Sequence, residues 1–79
     1  MKARIVVRLK PGVLDPQGTT IQKALAGLGF PEVRELRVGK LLEFVLDESD
    51  PDRARQRLDD MCRRLLANPV VEDHAIELE

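Results

Sequence analysis

The sequence has few aromatic side chains and no excess of positive charge. It contains no tryptophan and no tyrosine, and Phe30 and Phe44 are its only phenylalanines. Proteins that bind single-stranded nucleic acid stack bases on several exposed rings, so this composition excludes that class. The formal net charge of −1 also leaves no basic excess to hold a phosphate backbone. We therefore expect no nucleic acid among the partners.

Cysteine and long apolar runs are scarce as well. Cys62 is the only cysteine, which excludes an internal disulfide and a cluster held by four cysteines. Together with the single histidine, His74, it does not supply the three or four ligands of a metal site. No run is apolar for long enough to span a bilayer, and the charged N-terminus does not resemble a signal peptide. We expect a cytoplasmic protein without a metal and without a membrane partner.

Groups capable of catalysis are also few. Cys62 lies beside an apolar helical stripe, which predicts a buried thiol rather than a nucleophile. His74 shares a strand face with aliphatic residues, which is typical of a partly buried, hydrogen-bonded imidazole. Residues 11–18 lack the Gly-Lys-Ser/Thr ending of a phosphate loop, and Asp15 would repel phosphate there. The residues predict an interaction domain with no catalytic group.

Hydrophobic patterning predicts one domain, residues 1–79, with the element order βαββαβ. Strands are expected where apolar and polar residues alternate, at 2–9, 33–38, 41–47 and 70–78. Helices are expected after Asp15-Pro16 and Asp50-Pro51, because aspartate caps a helix and proline suits its first turn. The first helix is expected to end at Gly29, because glycine suits the residue after a helix and Pro31 prevents continuation. Such a chain folds as an α+β, two-layer ferredoxin-like plait, with an antiparallel sheet and two helices on one face. The expected strand order is fourth, first, third, second.

Glycine, proline and a capping aspartate mark the turns of this plait. Gly12 follows Pro11 and ends the first strand, and Gly39 with Lys40 is expected to form the turn between the second and third strands. Purely structural roles are therefore predicted for Gly12, Asp15, Pro16, Gly18 and Gly39.

The sheet face opposite the helices is expected to mix ion pairs with aliphatic side chains. Eight basic and three acidic residues precede residue 41, whereas five basic and eleven acidic residues follow it. A basic first strand between acidic neighbours explains this asymmetry, because Arg4 then lies between Glu43 and Glu77. A mixed face of this kind suits a protein–protein contact. The predicted oligomer interface consists of Val6, Leu41, Val45, Val71 and Ala75.

Several segments, spread over almost the whole length of the chain, resemble one protein family. The most specific is Gly12-Val13-Leu14-Asp15-Pro16-Gln17-Gly18, and shorter matches follow at residues 28–30, 38–40 and 68–72. These segments resemble PurS, the small subunit of phosphoribosylformylglycinamidine (FGAM) synthase. The resemblance implies an assembly that converts formylglycinamide ribonucleotide, ATP and glutamine into formylglycinamidine ribonucleotide, ADP, phosphate and glutamate.

The resemblance also implies how the work is divided within that assembly. A glutaminase subunit and a synthetase subunit carry the chemistry, and ATP and Mg²⁺ are expected on the synthetase, with no cofactor on this chain. The small subunit bridges the two, aids ammonia transfer, and associates with itself as a homodimer or tetramer. Polar groups that the fold does not demand are predicted to dock the partners: Lys10, Gln17, Arg37 and Lys40.

A different class of function remains open from the residues alone. Regulatory βαββαβ domains bind amino acids at a dimer interface near the first strand-to-helix loop, here residues 11–18. A stand-alone phosphatase requires an asparagine that orients water. Asn68, the only asparagine, precedes Pro69 at the end of the second helix, which is a poor position for that role. A stand-alone phosphatase is therefore excluded.

Overall fold

The chain folds into a three-stranded sheet covered by one helix, and a second helix projects from the end of this body. The computed structural model describes all 79 residues. Its elements are β1 (Lys2–Leu9), α1 (Pro16–Gly27), β2 (Gly39–Val45), α2 (Pro51–Met61), a π-helical turn (Cys62–Leu66) and β3 (Glu72–Leu78). The order along the sheet is β2-β1-β3, and both pairings are antiparallel. The predicted α+β class and the central position of the first strand are confirmed.

The core lies between one face of this sheet and α2. Side chains alternate along β1, so that Ala3, Ile5 and Val7 are buried while their neighbours are not. Leu58 and Cys62, four residues apart on α2 and its π-helical extension, pack against them without any exposed surface. This four-residue spacing brings both side chains to the same face of the helix, toward the sheet.

The α1 helix begins and ends where the sequence predicts. Asp15 is its N-cap, with a side-chain oxygen that accepts a hydrogen bond from the Gly18 N–H, and Pro16 follows as the first helical residue. At the C-terminus Gly29 adopts a positive φ of 100°. The N–H of Phe30 then reaches the carbonyl of Leu25 at 2.9 Å, which closes the helix as in a Schellman motif.

Two predictions about the middle of the chain are wrong in this structure. Residues 33–38 do not form a strand, and they bend at Glu35, which has a φ of 53°. Gly39 and Lys40 do not form a turn but begin β2, which ends at Val45. A Cβ atom on Gly39 would lie 2.7 Å from the carbonyl oxygen of Val7, so glycine is needed here for close approach between strands. The outer edge of β2 therefore has no partner strand.

The α1 helix also departs from the predicted layer. The closely packed pairs of elements are β1 with β2, β1 with β3, α2 with its π-helical turn, and α2 with β3. We call residues 11–38 the arm: it consists of α1 and a return segment, residues 28–38, that leads back to β2. The arm gives the molecule extents of 48 × 24 × 15 Å and a radius of gyration of 15.9 Å. A compact domain of this length has a radius of about 12 Å.

Candidate interaction surfaces

The sheet face opposite α2 carries the predicted ion pairs. Arg4 Nη2 lies 3.2 Å from Glu43 Oε2, and Arg4 Nη1 lies 3.8 Å from Glu77 Oε2. The hydrogen bond and the charge of Glu43 raise the pKa of the Arg4 guanidinium. We call this surface the open sheet face. Its central strand is basic and flanked by acidic ones, so the uneven charge along the chain has a structural explanation.

Aliphatic side chains lie beside these ion pairs, as the predicted oligomer interface requires. Val6 is directly opposite Leu41 on one side and Ala75 on the other. Val45 is 75% exposed at the end of the same face, and Leu41 is 54% exposed. Val71 precedes β3, and its carbonyl accepts a hydrogen bond from the Lys10 N–H. The structure thus places four of the five predicted residues on one face and leaves Val71 at its margin.

The predicted docking residues lie in two places. Arg37 Nη2 donates to the carbonyl of Lys10 at 3.3 Å, so these two residues meet at the base of the arm. Gln17 is exposed in the first turn of α1. Lys40 is not at a turn tip: it lies in β2, and its Nζ donates to the carbonyl of Leu66 at 3.3 Å. Lys40 therefore lies on the side of the sheet that α2 covers.

A buried carboxylate holds the base of the arm together. One oxygen of Asp15 accepts from Gly18, and the other accepts from the N–H of Val38 at 2.8 Å. These two hydrogen bonds lower the pKa of Asp15, because they favour the charged form. Gly18 has no room for a side chain, since a Cβ there would collide with the Leu36 carbonyl. Asp15 and Gly18 thus fix α1 against its own return segment.

An apolar surface on the arm was missed by reasoning from the sequence. Ile21, Ala24, Leu25 and Leu28 follow a spacing of i, i+3, i+4 and i+7, which predicts an apolar stripe that covers the sheet in the plait. In the structure Ile21 is 42% exposed and Leu28 is 74% exposed. Phe30, just beyond the helix, is 49% exposed. The amphipathic pattern showed that these residues require burial, but it did not show what buries them.

A second apolar surface runs beside α2, above the free side of the sheet. We call it the groove. Leu65, which is 83% exposed, lines a pocket there with Met61 and Leu66. The other groove residues are half-buried: Leu42, Phe44, Leu46 and Met61. In the predicted plait, the first helix would lie on this surface.

The two side chains that could serve in catalysis, Cys62 and His74, are both held in contacts within the fold. Cys62 is fully buried, and burial, followed by the charge of Asp59, raises the pKa of its thiol. His74 Nε2 lies 3.1 Å from Asp59 Oδ1, which matches the predicted hydrogen-bonded imidazole. Arg63 contacts the other oxygen of Asp59 at 2.8 Å. No group of three or more His, Cys, Asp or Glu side chains converges to hold a metal ion, and none of the helices is long and apolar enough to cross a membrane.

Comparison with known proteins assigns the chain to a family. The profile of the PurS family, described as phosphoribosylformylglycinamidine (FGAM) synthase, matches residues 2–79. The PurS subunit of Methanocaldococcus jannaschii is 40% identical over 78 residues, which cover 99% of this chain and 94% of that protein. The structure of Bacillus subtilis PurS is 42% identical and superposes with a TM-score of 0.90, covering 99% of this chain and 96% of that one.

A third relative comes from an assembled complex. The structure of PurLQS from Thermotoga maritima contains a chain that is 32% identical, with a TM-score of 0.86. The match covers 96% of this chain and 93% of that chain. Because the family profile covers almost the whole chain, it decides against the amino-acid-binding regulatory domain that the residues alone left open. The chain belongs to the PurS family, the small subunit of FGAM synthase in purine biosynthesis.

Proposed function

We propose that this chain is a non-catalytic subunit that holds the synthetase and glutaminase subunits of FGAM synthase together and aids the transfer of ammonia between them. The Thermotoga maritima relative was solved as part of PurLQS, which supports a role within a complex of three kinds of subunit. ATP and Mg²⁺ then belong to the synthetase. The assembly works in the cytoplasm, where a free thiol such as Cys62 stays reduced.

This proposal rests on the small number of buried residues and the large number of exposed apolar ones. Only nine of 79 residues are buried, whereas eight large hydrophobic side chains are exposed. Exposed apolar patches rimmed by charge mark sites of protein association. The two groups with nucleophile or base chemistry, Cys62 and His74, are instead held in the core and in a contact with Asp59. The exposed apolar residues are therefore suited to binding other proteins, and the buried residues stabilise the fold.

Reconstitution from separate subunits tests this division of labour. The purified synthetase and glutaminase are assayed with and without this chain, using glutamine in one series and ammonium chloride in the other. We expect glutamine-dependent synthesis to require the chain and ammonium-dependent synthesis to proceed without it. The chain alone is expected to release no ammonia from glutamine. Full glutamine-dependent activity from the two large subunits alone would contradict the proposal.

Two polar residues are predicted to contribute to docking. Gln17→Ala and Lys40→Ala remove exposed polar groups, and we expect each to leave the melting temperature nearly unchanged while weakening glutamine-dependent activity at limiting subunit concentration. Gln56→Ala, an exposed glutamine on α2, is the matched control. If both variants restore full activity at the wild-type concentration, neither residue has a docking role.

A further inference from the structure

We propose that Arg53 and Arg57, two neighbouring side chains on α2, dock an acidic surface of one of the two large subunits of the synthase. We call these two residues the arginine pair. Docking at the arginine pair rests on the proposed function, in which the chain binds those subunits. It adds which surface of the chain binds and which chemistry that surface recognises.

The basic residues in the second half of the chain are confined to one helix and the turn that follows it. Every basic residue after Lys40 is an arginine, and all five lie at positions 53–64. Of the eleven acidic residues in the same half, only three lie on α2: Asp52, Asp59 and Asp60. The helix therefore carries a positive surface on an otherwise acidic half of the chain.

The arginines at the end of this stretch are paired within the chain, whereas those near its start are not. Arg63 Nη2 lies 2.8 Å from Asp59 Oδ2, one turn back along the helix. A salt bridge of the same spacing, at 3.6 Å, holds Arg64. No ion pair includes Arg53 or Arg57. Both side chains are exposed, so both guanidinium groups are free to bind a carboxylate of another protein.

The positions of the arginine pair are unfavourable for the helix itself. Arg53 is the third residue of α2, in the first turn, where the helix dipole favours acidic side chains over basic ones. Arg57 follows four residues later, so two like charges lie side by side on one face and repel each other. The end of the same stretch instead places an aspartate four residues before each arginine. Residues that break such local rules without a benefit to the fold are expected at functional sites.

Apolar side chains continue the surface beside the arginine pair. Both arginines line a pocket with Leu46 and Met61, and Arg57 and Met61 line the next pocket with Leu65. Apolar side chains rimmed by charged ones are typical of an interface between proteins. Arginine is enriched at such interfaces, and its planar guanidinium can donate two parallel hydrogen bonds to one carboxylate.

The partner is expected to supply the missing negative charge. Asp47 and Glu48 line the first of these pockets, yet neither forms an ion pair with the arginine pair. A second copy that met this surface across a two-fold axis would bring arginine against arginine, so the surface is not complementary to itself. Four residues of helix rise by about 6 Å. We therefore expect two carboxylates at about this spacing beside an apolar side chain, as on one face of an acidic amphipathic helix.

Reversal of one charge of the arginine pair tests its role in the complex. The two large subunits are titrated with wild-type chain, with Arg57→Glu or with Arg55→Glu, and glutamine-dependent synthesis is measured at each concentration. Arg55→Glu is the matched control, because Arg55 is exposed and unpaired on the same helix. It makes the same change in net charge, but it lies two positions from both arginines and therefore on another face.

The expected effect is on affinity and not on the activity of the saturated complex. We expect Arg57→Glu to raise the concentration for half-maximal activity by about tenfold or more, and Arg55→Glu to raise it by less than about twofold. The activity at saturation is expected to be the same for all three chains. If Arg57→Glu acts at the wild-type concentration, or if Arg55→Glu weakens binding equally, the arginine pair does not dock a partner.

Two controls separate this proposal from the proposed function and from self-association. A wild-type chain that restores activity, together with an Arg57→Glu variant that matches it, overturns only the docking at the arginine pair. A wild-type chain that restores no activity overturns both proposals. In sedimentation velocity of the free chains, we expect wild type and Arg57→Glu to have the same mass. A lower mass for Arg57→Glu would assign the arginine pair to a contact between copies and would overturn its docking to a large subunit.

Discussion

Replacing Leu58 with alanine tests how much of the fold depends on its small core. Leu58 has no exposed surface and lies at the centre of the packing between α2 and β1. Truncation of a fully buried leucine lowers the free energy of unfolding by about 2–5 kcal/mol, because contacts are lost and a cavity remains. The whole chain of 79 residues is stable by about 4–12 kcal/mol. This one change is therefore expected to remove about half of the stability.

A matched leucine on the other face of the sheet isolates the effect of burial. Leu41→Ala makes the same chemical change at a position that is 54% exposed. We expect it to lower the free energy of unfolding by less than about 1 kcal/mol, as substitutions at the surface usually do. Both variants lose the same side-chain atoms, so the difference between their free energies of unfolding measures the contribution of burial in the core.

The assay follows from the composition and from the expected self-association of the chain. The chain has no tryptophan or tyrosine for intrinsic fluorescence, so urea unfolding is followed by far-ultraviolet circular dichroism. The titration is repeated at several protein concentrations, because dissociation of a dimer makes apparent stability depend on concentration. If Leu58→Ala unfolds at the same urea concentration as Leu41→Ala, the reasoning about the core is wrong.

Two further predictions concern glycine and the base of the arm. Gly39→Ala is expected to lower the free energy of unfolding by about 1–3 kcal/mol in a thermal melt, because its Cβ would meet the Val7 carbonyl. Gly27→Ala, which meets nothing within 4 Å, is expected to raise it by about 0.4–1 kcal/mol, and equal effects would contradict the steric argument. Asp15 has a lowered pKa in the folded chain, so its contribution to the free energy of unfolding is fully present above about pH 4. This contribution is lost as the pH falls through the pKa that Asp15 has in the folded chain. The melting temperatures of wild type and Asp15→Asn are therefore expected to differ at pH 6, and the difference is expected to shrink as the pH is lowered below about 4; an unchanged difference at the lowest pH of the series would contradict this assignment.

Local features of the fold could be predicted because their causes lie within a few residues. β1 has the predicted bounds, since strict alternation leaves one face apolar. The start of α1 follows from Asp15 and Pro16, and its end follows from Gly29. His74 and Cys62 were placed correctly by the neighbours that share their faces. In each case the residue and the neighbours that decide its role lie close together in the sequence.

The role of Gly39 could not be predicted in the same way. A glycine followed by lysine between two alternating segments favours a turn, because glycine accepts positive φ. In this structure only Gly12 and Gly29 among the glycines have positive φ. Gly39 is needed for a different reason, which is the 2.7 Å that separates its missing Cβ from the Val7 carbonyl. That distance depends on the pairing of β1 with β2, a contact between residues more than thirty positions apart in the chain.

The position of the arm could not be predicted either. An apolar stripe on α1 indicates that Ile21 and Leu28 require burial, but it does not show which surface buries them. The direction of the arm is fixed at its base, where Asp15 accepts from Val38 and Arg37 donates to the Lys10 carbonyl. These hydrogen bonds join residues 23 and 27 positions apart, so the direction of the arm depends on pairings that the local apolar pattern does not contain.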